Sequence, residues 1–186
     1  FNGSSSIVKW DLDKSFPGRG YINRGFGGSE TSDAVHHARR LLLPLKPKLI
    51  VFYEGDNDIA KGKSPVQVAD DFRRYAAIIH EELPESQILY LSIKQSPSRA
   101  KQTMRQKAAN ALVAAYCESD PQCRFVDVAT CLLGPDGKPD PKYFVKDMLH
   151  LCDAGYVEWV KIVEPAIKEA LERSAENAEA GAAKPK

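Results

Sequence analysis

Apolar residues in this chain fall into short continuous runs separated by longer periodic segments. The clearest runs cover residues 48–53, 87–93 and 124–128, and a shorter run covers residues 21–23. Continuous apolar runs of this length are typical of parallel strands that helices cover on both faces. We therefore predict strands at these four positions.

The segment after the first long run carries a strong helix signal. Ser64 and Gln67 have the spacing of a capping box, and Pro65 occupies the first helical position. Apolar residues then recur every three or four positions until Pro84, where a helix must end. The members of this stripe are Ala69, Phe72, Ala76, Ile79 and Leu83.

Three further helices are predicted from the same periodicity. One precedes Pro47, one covers about residues 101–116, and the last begins near Asp153 and is expected to be kinked or split by Pro165. The first carries the stripe Ala34, Ala38, Leu41 and Leu45, and the last carries Tyr156, Val160, Val163, Ile167 and Leu171.

Alternation of strands and helices predicts an α/β fold with three α/β/α layers around a mostly parallel sheet. A chain of 186 residues has the length of one such domain. We assign this domain to residues 1–173 and predict a disordered tail over residues 174–186, where alanine, glutamate, glycine, lysine and proline dominate. In sheets of this kind, ligands bind beyond the carboxyl ends of the strands.

Composition narrows the range of partners. A formal net charge of +1 without a basic stripe argues against nucleic-acid binding, and no apolar run has the length of a membrane span. Cys117, Cys123, Cys131 and Cys152 match no zinc-binding spacing. They are interpreted as reduced thiols, with a Cys117–Cys123 disulfide as the alternative for an exported protein. We therefore expect a small-molecule or glycan-linked substrate, and neither the oligomeric state nor the compartment is indicated.

Several residues whose groups could take part in catalysis stand beside the predicted elements. They are the serines at positions 4–6, the glycines at positions 25–28, Asn57 within Gly55–Asp58, and the Asp147 and His150 pair. Acyl transfer needs a hydroxyl nucleophile, an imidazole base, a carboxylate that orients the base, and donors for an oxyanion. A separation of three residues brings the side chains of Asp147 and His150 to the same side. Each required group therefore has a candidate.

Each of these short segments, taken alone, also has a purely structural interpretation. Gly3-Ser4-Ser5 is compatible with a flexible glycine–serine turn, and Gly55–Asp58 with an Asx turn. Gly25 and Gly27 are expected only to let the backbone turn, and His36, His37 and His80 are interpreted as ordinary helix residues. The sequence has no G-x-S-x-G elbow, no glycine-rich phosphate loop and no EF-hand spacing for calcium.

Taken in order, the blocks Gly3-Ser4-Ser5, Gly28, Gly55-Asp56-Asn57-Asp58 and Asp147-x-x-His150 resemble the SGNH, or GDSL-type, hydrolase family from Gly3 to about Trp159. The resemblance implies a flavodoxin-like sheet and a serine-dependent carboxylic ester hydrolase that needs no metal or organic cofactor. It also implies that Ser5 is the nucleophile and that His150, oriented by Asp147, is the base. Ser5, Gly28 and Asn57 then form the oxyanion hole.

The chain departs from the family pattern at two positions. Ser4 stands where the family has aspartate, and Met148 stands where glycine is common. Ser4 and Ser6 flank the predicted nucleophile, so the motif register has to single out Ser5 among three serines. A buried strand should precede the nucleophile, but only Phe1 and Asn2 precede Gly3. We therefore expect a natural precursor to carry further apolar residues upstream. Short acyl esters, acetyl first, are the expected substrates. The alternatives are a carbohydrate O-acetylesterase and a non-catalytic binding domain with the same fold.

Overall fold

The computed structural model describes the backbone of residues 1–182 and the side chains of residues 1–174. Five strands alternate with helices along the chain. The strands are β1 (Asn2–Gly3), β2 (Arg24–Gly25), β3 (Leu49–Tyr53), β4 (Gln87–Leu91) and β5 (Cys123–Val126). The helices are α1 (Ser5–Val8), α2 (Leu12–Ser15), α3 (Thr31–Leu41), α4 (Asp56–Ala60), α5 (Pro65–Glu82), α6 (Thr103–Ser119) and α7 (Asp153–Ala182).

All five strands are parallel and follow the order β2-β1-β3-β4-β5. This is the flavodoxin-like order, so the predicted α/β fold is confirmed. The order reverses between β1 and β3, where Asn2 pairs with Phe52 and Gly3 with Tyr53. Crevices at such a reversal, beyond the carboxyl ends of the strands, are where ligands bind in open α/β sheets.

The two faces of the sheet pack against different helices. Successive side chains of a strand point to opposite faces, so an apolar run supplies both layers at once. One face packs against α7 and α1, and the other against α3, α5 and α6. The first layer takes Val51, Tyr53, Leu89 and Leu91, and the second takes Ile50, Phe52, Ile88 and Tyr90.

The strongest helix signal is confirmed. Ser64 Oγ accepts from the Gln67 backbone N–H at 3.2 Å, and the Gln67 side chain accepts from the Ser64 N–H at 2.8 Å. Helix α5 ends at Glu82, two residues before Pro84. Helix α6 follows a 3-10 turn at Pro97–Gln102. The helix predicted over about residues 101–116 therefore begins at Thr103, two residues later than expected.

Two predicted boundaries are wrong. Helix α3 ends at Leu41, and Leu45 lies in a separate 3-10 turn, because Pro44 lacks the N–H that would continue the helix. The predicted strand at 21–23 is replaced by β2 at Arg24–Gly25. The reason is that β2 pairs with β1 over only two residues, where the Arg24 N–H donates to the Phe1 carbonyl and the Phe26 N–H donates to the Gly3 carbonyl.

Helix α7 continues through Pro165, which therefore does not split it. It also extends past Ser174 to Ala182, into the segment for which the sequence predicts disorder. Alanine and glutamate are strong helix formers, which accounts for the continued helix. Residues 183–186 of the predicted tail lie outside the described residues.

Two further expectations concern the surface and the thiols. Among the described residues, no helix combines the length and apolarity that crossing a membrane requires. All four cysteines are free thiols, with Cys117 and Cys123 buried and Cys131 and Cys152 partly buried.

Candidate active site

Ser5 stands at the carboxyl edge of the sheet because β1 ends one residue before Ser4. Gly3 has φ of 148°, and a Cβ atom there would lie 2.1 Å from the Tyr53 carbonyl oxygen. Only glycine therefore lets β1 approach β3 this closely. The chain then turns into α1, whose first residue is Ser5.

Ser5, His150 and Asp147 form one hydrogen-bonded chain across 145 residues of sequence. His150 Nε2 lies 2.9 Å from Ser5 Oγ, and His150 Nδ1 lies 2.6 Å from Asp147 Oδ2. An ionised carboxylate only accepts, so Nδ1 carries the ring proton and Nε2 is free to accept from the Ser5 hydroxyl. The structure thus brings together the three residues predicted as nucleophile, base and orienting acid.

Asp147 is fixed mainly by its own loop. Its Oδ1 accepts from the backbone N–H groups of Leu149 and His150, each at 2.9 Å. Burial opposes ionisation of Asp147, but the hydrogen bonds from the His150 ring and these N–H groups outweigh it and lower the pKa of the carboxyl below its ordinary range. Met148, between them, has φ of 57°, a left-handed conformation that favours glycine.

The neighbouring serines face elsewhere. Ser6 Oγ lies 3.4 Å from the Nζ of Lys94, and Ser4 is buried, with its backbone N–H donating to the Tyr53 carbonyl at 3.1 Å. Of the three consecutive serines, Ser5 is the one whose hydroxyl lies within hydrogen-bond distance of His150. This geometry agrees with the register that the sequence motif predicts.

The loop after β2 lies beside Ser5. A Cβ atom at Gly27 would lie 4.0 Å from Ser5 Cβ, and Gly28 has φ of 79°. Gly27 lies in a turn with Gly28, as expected, whereas Gly25 lies in β2, so the interpretation that it serves to turn the chain is wrong. Gly25 instead permits close packing, because a Cβ atom there would lie 2.8 Å from the Val8 nitrogen. Within the described residues, the N–H groups of Ser5 and Gly28 donate to no backbone carbonyl.

Asn57 lies in the first turn of α4, directly after β3. Its Nδ2 donates to the Ser29 carbonyl at 2.9 Å, which uses one of its two amide hydrogens. Its Oδ1 accepts from Arg99 Nη2 at 2.9 Å. The second Nδ2 hydrogen has no protein acceptor in the described part of the chain, so it is available to a ligand atom.

Asp58, in the first turn of α4, joins this helix to the start of α3. It is buried, and its two oxygens accept from the Thr31 N–H at 3.0 and 3.1 Å. Lys63 donates to the same carboxylate at 3.1 Å. Burial raises the pKa of Asp58, against these hydrogen bonds. The contact fixes the Gly28 segment, which directly precedes α3, relative to Asn57.

Glu54 contacts the same Gly28 segment through Ser29. Ser29 Oγ lies 2.8 Å from the Phe26 carbonyl oxygen and 2.5 Å from Glu54 Oε1. One hydroxyl hydrogen cannot serve two acceptors, so both contacts are satisfied when Glu54 is protonated and donates to Ser29. Burial raises the pKa of Glu54 well above its ordinary value, which favours the same protonated form.

A buried charged cluster next to Asn57 was missed by the sequence reasoning. We call it the Asp56 cluster, and it consists of Asp56, Lys94, Arg99 and Gln106. Asp56 Oδ1 lies 2.8 Å from Arg99 Nη1 and 3.0 Å from Gln106 Nε2, and Asp56 Oδ2 lies 3.4 Å from Lys94 Nζ. Burial lowers the pKa of Lys94, and Asp56 opposes that shift. The available signal was the polar run Lys94–Arg99, which directly follows the apolar run of β4.

One group with mixed metal-ligand chemistry lies at the other end of the sheet. Among the described residues, His80, Asp120 and Cys123 place one ligand atom each within 4.8 Å of one another. The two ring nitrogens of His80 face different partners, however, with Nδ1 3.5 Å from Asp120 Oδ2 and Nε2 4.0 Å from Cys123 Sγ. One imidazole cannot direct both nitrogens to a single ion, so these contacts fit internal hydrogen bonding better than metal ligation.

Four strands or their following loops therefore contribute to one small region. It contains a serine hydroxyl bonded to an oriented imidazole, two free backbone N–H groups and a side-chain amide with a spare hydrogen. This set can deprotonate a hydroxyl nucleophile and stabilise a developing oxyanion.

Several solved structures share the fold of this chain. A GDSL-like lipase from Bacteroides thetaiotaomicron superposes with a TM-score of 0.80 and 22% identity, covering 91% of this chain and 87% of its own. A member of the lipolytic G-D-S-L family from Veillonella parvula gives a TM-score of 0.70 and 15% identity, with 86% and 92% coverage. A catalytic mutant of an acetylxylan esterase from Geobacillus stearothermophilus gives 0.69 and 13%, with 86% and 89% coverage.

Among curated proteins, none matches this chain. A family model does match, and it covers residues 2–157, which include every block of the predicted site. The chain therefore belongs to the GDSL-like Lipase/Acylhydrolase family.

Proposed function

We propose that this protein is a serine-dependent carboxylic ester hydrolase that works through an acyl-enzyme. The observation that carries the proposal is the hydrogen-bonded chain from Ser5 Oγ to His150 Nε2 at 2.9 Å and from His150 Nδ1 to Asp147 Oδ2 at 2.6 Å. Membership of an acylhydrolase family supports the same reaction class.

In the first half-reaction, Ser5 Oγ attacks the acyl carbon while His150 Nε2 takes the hydroxyl proton. Asp147 stabilises the imidazolium that results. The carbonyl electron pair becomes an oxyanion that accepts from the N–H groups of Ser5 and Gly28 and from Asn57 Nδ2. His150 then gives its proton to the leaving alcohol as the C–O bond breaks, and the acyl group remains on Ser5.

In the second half-reaction, water attacks the acyl carbon while His150 Nε2 takes a water proton. The same three donors receive the second oxyanion. The acid leaves as the Ser5–acyl bond breaks, and His150 returns the proton to Ser5 Oγ. Every proton transfer uses one ring nitrogen of one histidine, and the residues present supply all the groups that the cycle needs.

Short acyl esters, acetyl first, are the proposed substrates. A second candidate is a carbohydrate O-acetylesterase, because a structural neighbour is an acetylxylan esterase with a TM-score of 0.69. Acetate release from acetylated xylan, measured beside p-nitrophenyl acetate hydrolysis, distinguishes the two. A preference for the glycan ester by kcat/KM would favour the second candidate.

The test of the proposed function is hydrolysis of p-nitrophenyl acetate together with labelling by a fluorophosphonate probe. Labelling requires an activated serine, so mass mapping is expected to place the adduct on Ser5 and on neither Ser4 nor Ser6. Circular dichroism confirms that the protein is folded. A folded protein that neither turns over the ester nor takes the probe would favour a non-catalytic binding domain.

A further inference from the structure

The orientation of the Asn57 side chain decides whether it can donate to an oxyanion. A primary amide has a donating nitrogen and an accepting oxygen, and a rotation of 180° exchanges them with almost no change in shape. Here Arg99 Nη2 donates to Oδ1, and Nδ2 donates to the Ser29 carbonyl, each at 2.9 Å. A guanidinium carries only donors, so the exchanged orientation would set two donors against each other.

Arg99 is itself held in place by Asp56. The Nη1–Oδ1 distance is 2.8 Å, so two nitrogens of one planar group connect the adjacent residues Asp56 and Asn57. Asp56 is buried and also accepts from Gln106 at 3.0 Å. Because the guanidinium fork is rigid, the position of Asp56 determines the orientation of the Asn57 amide.

The charge of Arg99 acts in the same direction. Arginine stays protonated at all relevant pH values, and this side chain is only 17% exposed. A cation that donates to the amide oxygen withdraws electron density from the amide group, which makes Nδ2–H a stronger donor. Exclusion of water increases this effect.

The turn that carries Arg99 also contacts the other side of the site. The backbone N–H of Ser98 donates to the Met148 carbonyl at 3.0 Å. Met148 lies between Asp147 and His150, so one short turn touches both the oxyanion donor and the loop of the base. This contact fixes the turn relative to the reacting groups.

We propose that Arg99 is a positioning residue that selects the donating orientation of Asn57 and strengthens it as an oxyanion donor. This inference rests on the proposed function of the site. It assigns to Arg99 an effect that passes entirely through Asn57, with no contact between Arg99 and substrate.

A double-mutant cycle tests that pathway. Asn57→Ala is expected to lower kcat by about 100- to 1,000-fold, as for the loss of other oxyanion donors. Arg99→Met is expected to lower kcat by about 100-fold with a much smaller change in KM, because a small displacement of a catalytic group has this effect. In the Asn57→Ala background, Arg99→Met is expected to cost less than about threefold, since coupled residues are not additive.

Losses that multiply in the double variant would overturn the proposal. If Arg99→Met does not fold, Arg99→Lys serves in the same cycle, because lysine keeps the charge beside Asp56 but cannot connect both residues. Arg73→Met is the matched control. Arg73 is an exposed arginine paired with Asp70 at 2.6 Å on α5, and its removal should leave kcat unchanged.

A second measurement does not depend on turnover, so it separates this inference from the proposed function. The side-chain amide signals of Asn57 in a ¹⁵N–¹H spectrum are identified by their absence in Asn57→Ala. In Arg99→Met and Arg99→Lys they are expected to move towards the positions of a free amide. Unchanged signals would overturn the inference about Arg99, whereas a wild-type protein without Ser5-dependent hydrolysis would overturn the proposed function.

Discussion

The two sides of the candidate site are held in opposite ways. The base side is the His150 loop, residues 144–151, in which Asp147 and His150 have side chains 46% and 18% exposed. The oxyanion side rests on the Asp56 cluster, in which the side chains of Asp56 and Lys94 are 6% and 1% exposed. One side is solvated and local, and the other is buried and assembled from distant segments.

Because of this difference, mutations on the two sides should affect catalysis and folding stability differently. The contacts that orient His150 join residues at most three positions apart, and water can replace part of each of them. The charges of the Asp56 cluster have lost their water and depend on one another, so removal of one leaves another unpaired. Changes in the His150 loop should therefore alter catalysis with little effect on folding, whereas changes in the Asp56 cluster should alter both.

The largest expected effect is the loss of the nucleophile or the base. If the proposed mechanism holds, Ser5→Ala and His150→Ala should each lower kcat for p-nitrophenyl acetate by about a million-fold or to the uncatalysed limit, as in a characterised serine protease. Neither should change the melting temperature by more than a few degrees. Ser4→Ala is the matched control, since Ser4 does not contact His150, and it should retain activity. Equal losses in Ser4→Ala and Ser5→Ala would contradict the assignment of Ser5.

The next effect concerns the exposed acid of the base side. Asp147→Asn should lower kcat by roughly 1,000- to 10,000-fold, because an amide that donates to Nδ1 places the ring proton on Nε2. Asp147→Ala should be less severe, since water can then accept from Nδ1–H at this exposed position. Steady-state kinetics on both variants test this order. An alanine variant that is less active than the asparagine variant would show that water does not reach the ring.

A smaller effect, on stability, compares the two sides directly. Asp56→Asn removes the charge that pairs with Lys94 and Arg99, and it should lower the free energy of unfolding by about 3 kcal/mol. Asp147→Asn should lower it by less than about 1 kcal/mol, as is usual at exposed positions. Chemical denaturation measures both. Equal losses would show that burial of the Asp56 cluster has no energetic consequence.

The smallest effect is the pH dependence of stability due to Glu54. Its pKa in the folded protein lies above the ordinary value of 4.5, so the stabilisation from the bound proton is complete below that pH and is lost as the pH rises through the folded-state pKa. Glu54→Gln cannot ionise, so its melting temperature should fall less than that of the wild type towards alkaline pH. If the melting temperatures of the wild type and Glu54→Gln changed equally with pH above pH 5, the result would contradict this expectation.

The lower limit of that pH range follows from Asp147. Its pKa is lowered in the folded protein, so its contribution is present above the unfolded-state value of 3.8 and is lost only at more acidic pH. Measurements above pH 5 thus keep the Asp147 contribution constant, and a difference between wild type and Glu54→Gln can be attributed to Glu54.

Local patterns in the sequence were sufficient for most elements. The capping box at Ser64 and the stripe after it predicted α5 correctly, because both depend on residues within a few positions of each other. Prediction failed where a single residue or the length of a pairing partner decided the element. Pro44 ends α3 early, and β2 pairs with β1 over only two residues, so the apolar run at 21–23 forms no strand.

The sequence by itself determined the parallel α/β architecture, the order of the four blocks and the candidates Ser5, Gly28, Asn57, Asp147 and His150. The architecture follows from periodicity, the Asp147 and His150 pair from three-residue spacing, and the other candidates from a motif order that resembles the GDSL-type family. The tertiary structure alone decided that Ser5 rather than Ser4 or Ser6 faces His150, that Glu54 is buried against Ser29, and that Lys94 and Arg99 join Asp56. Such contacts depend on strand register and on burial, which bring together residues 25 to 145 positions apart and which no local pattern encodes.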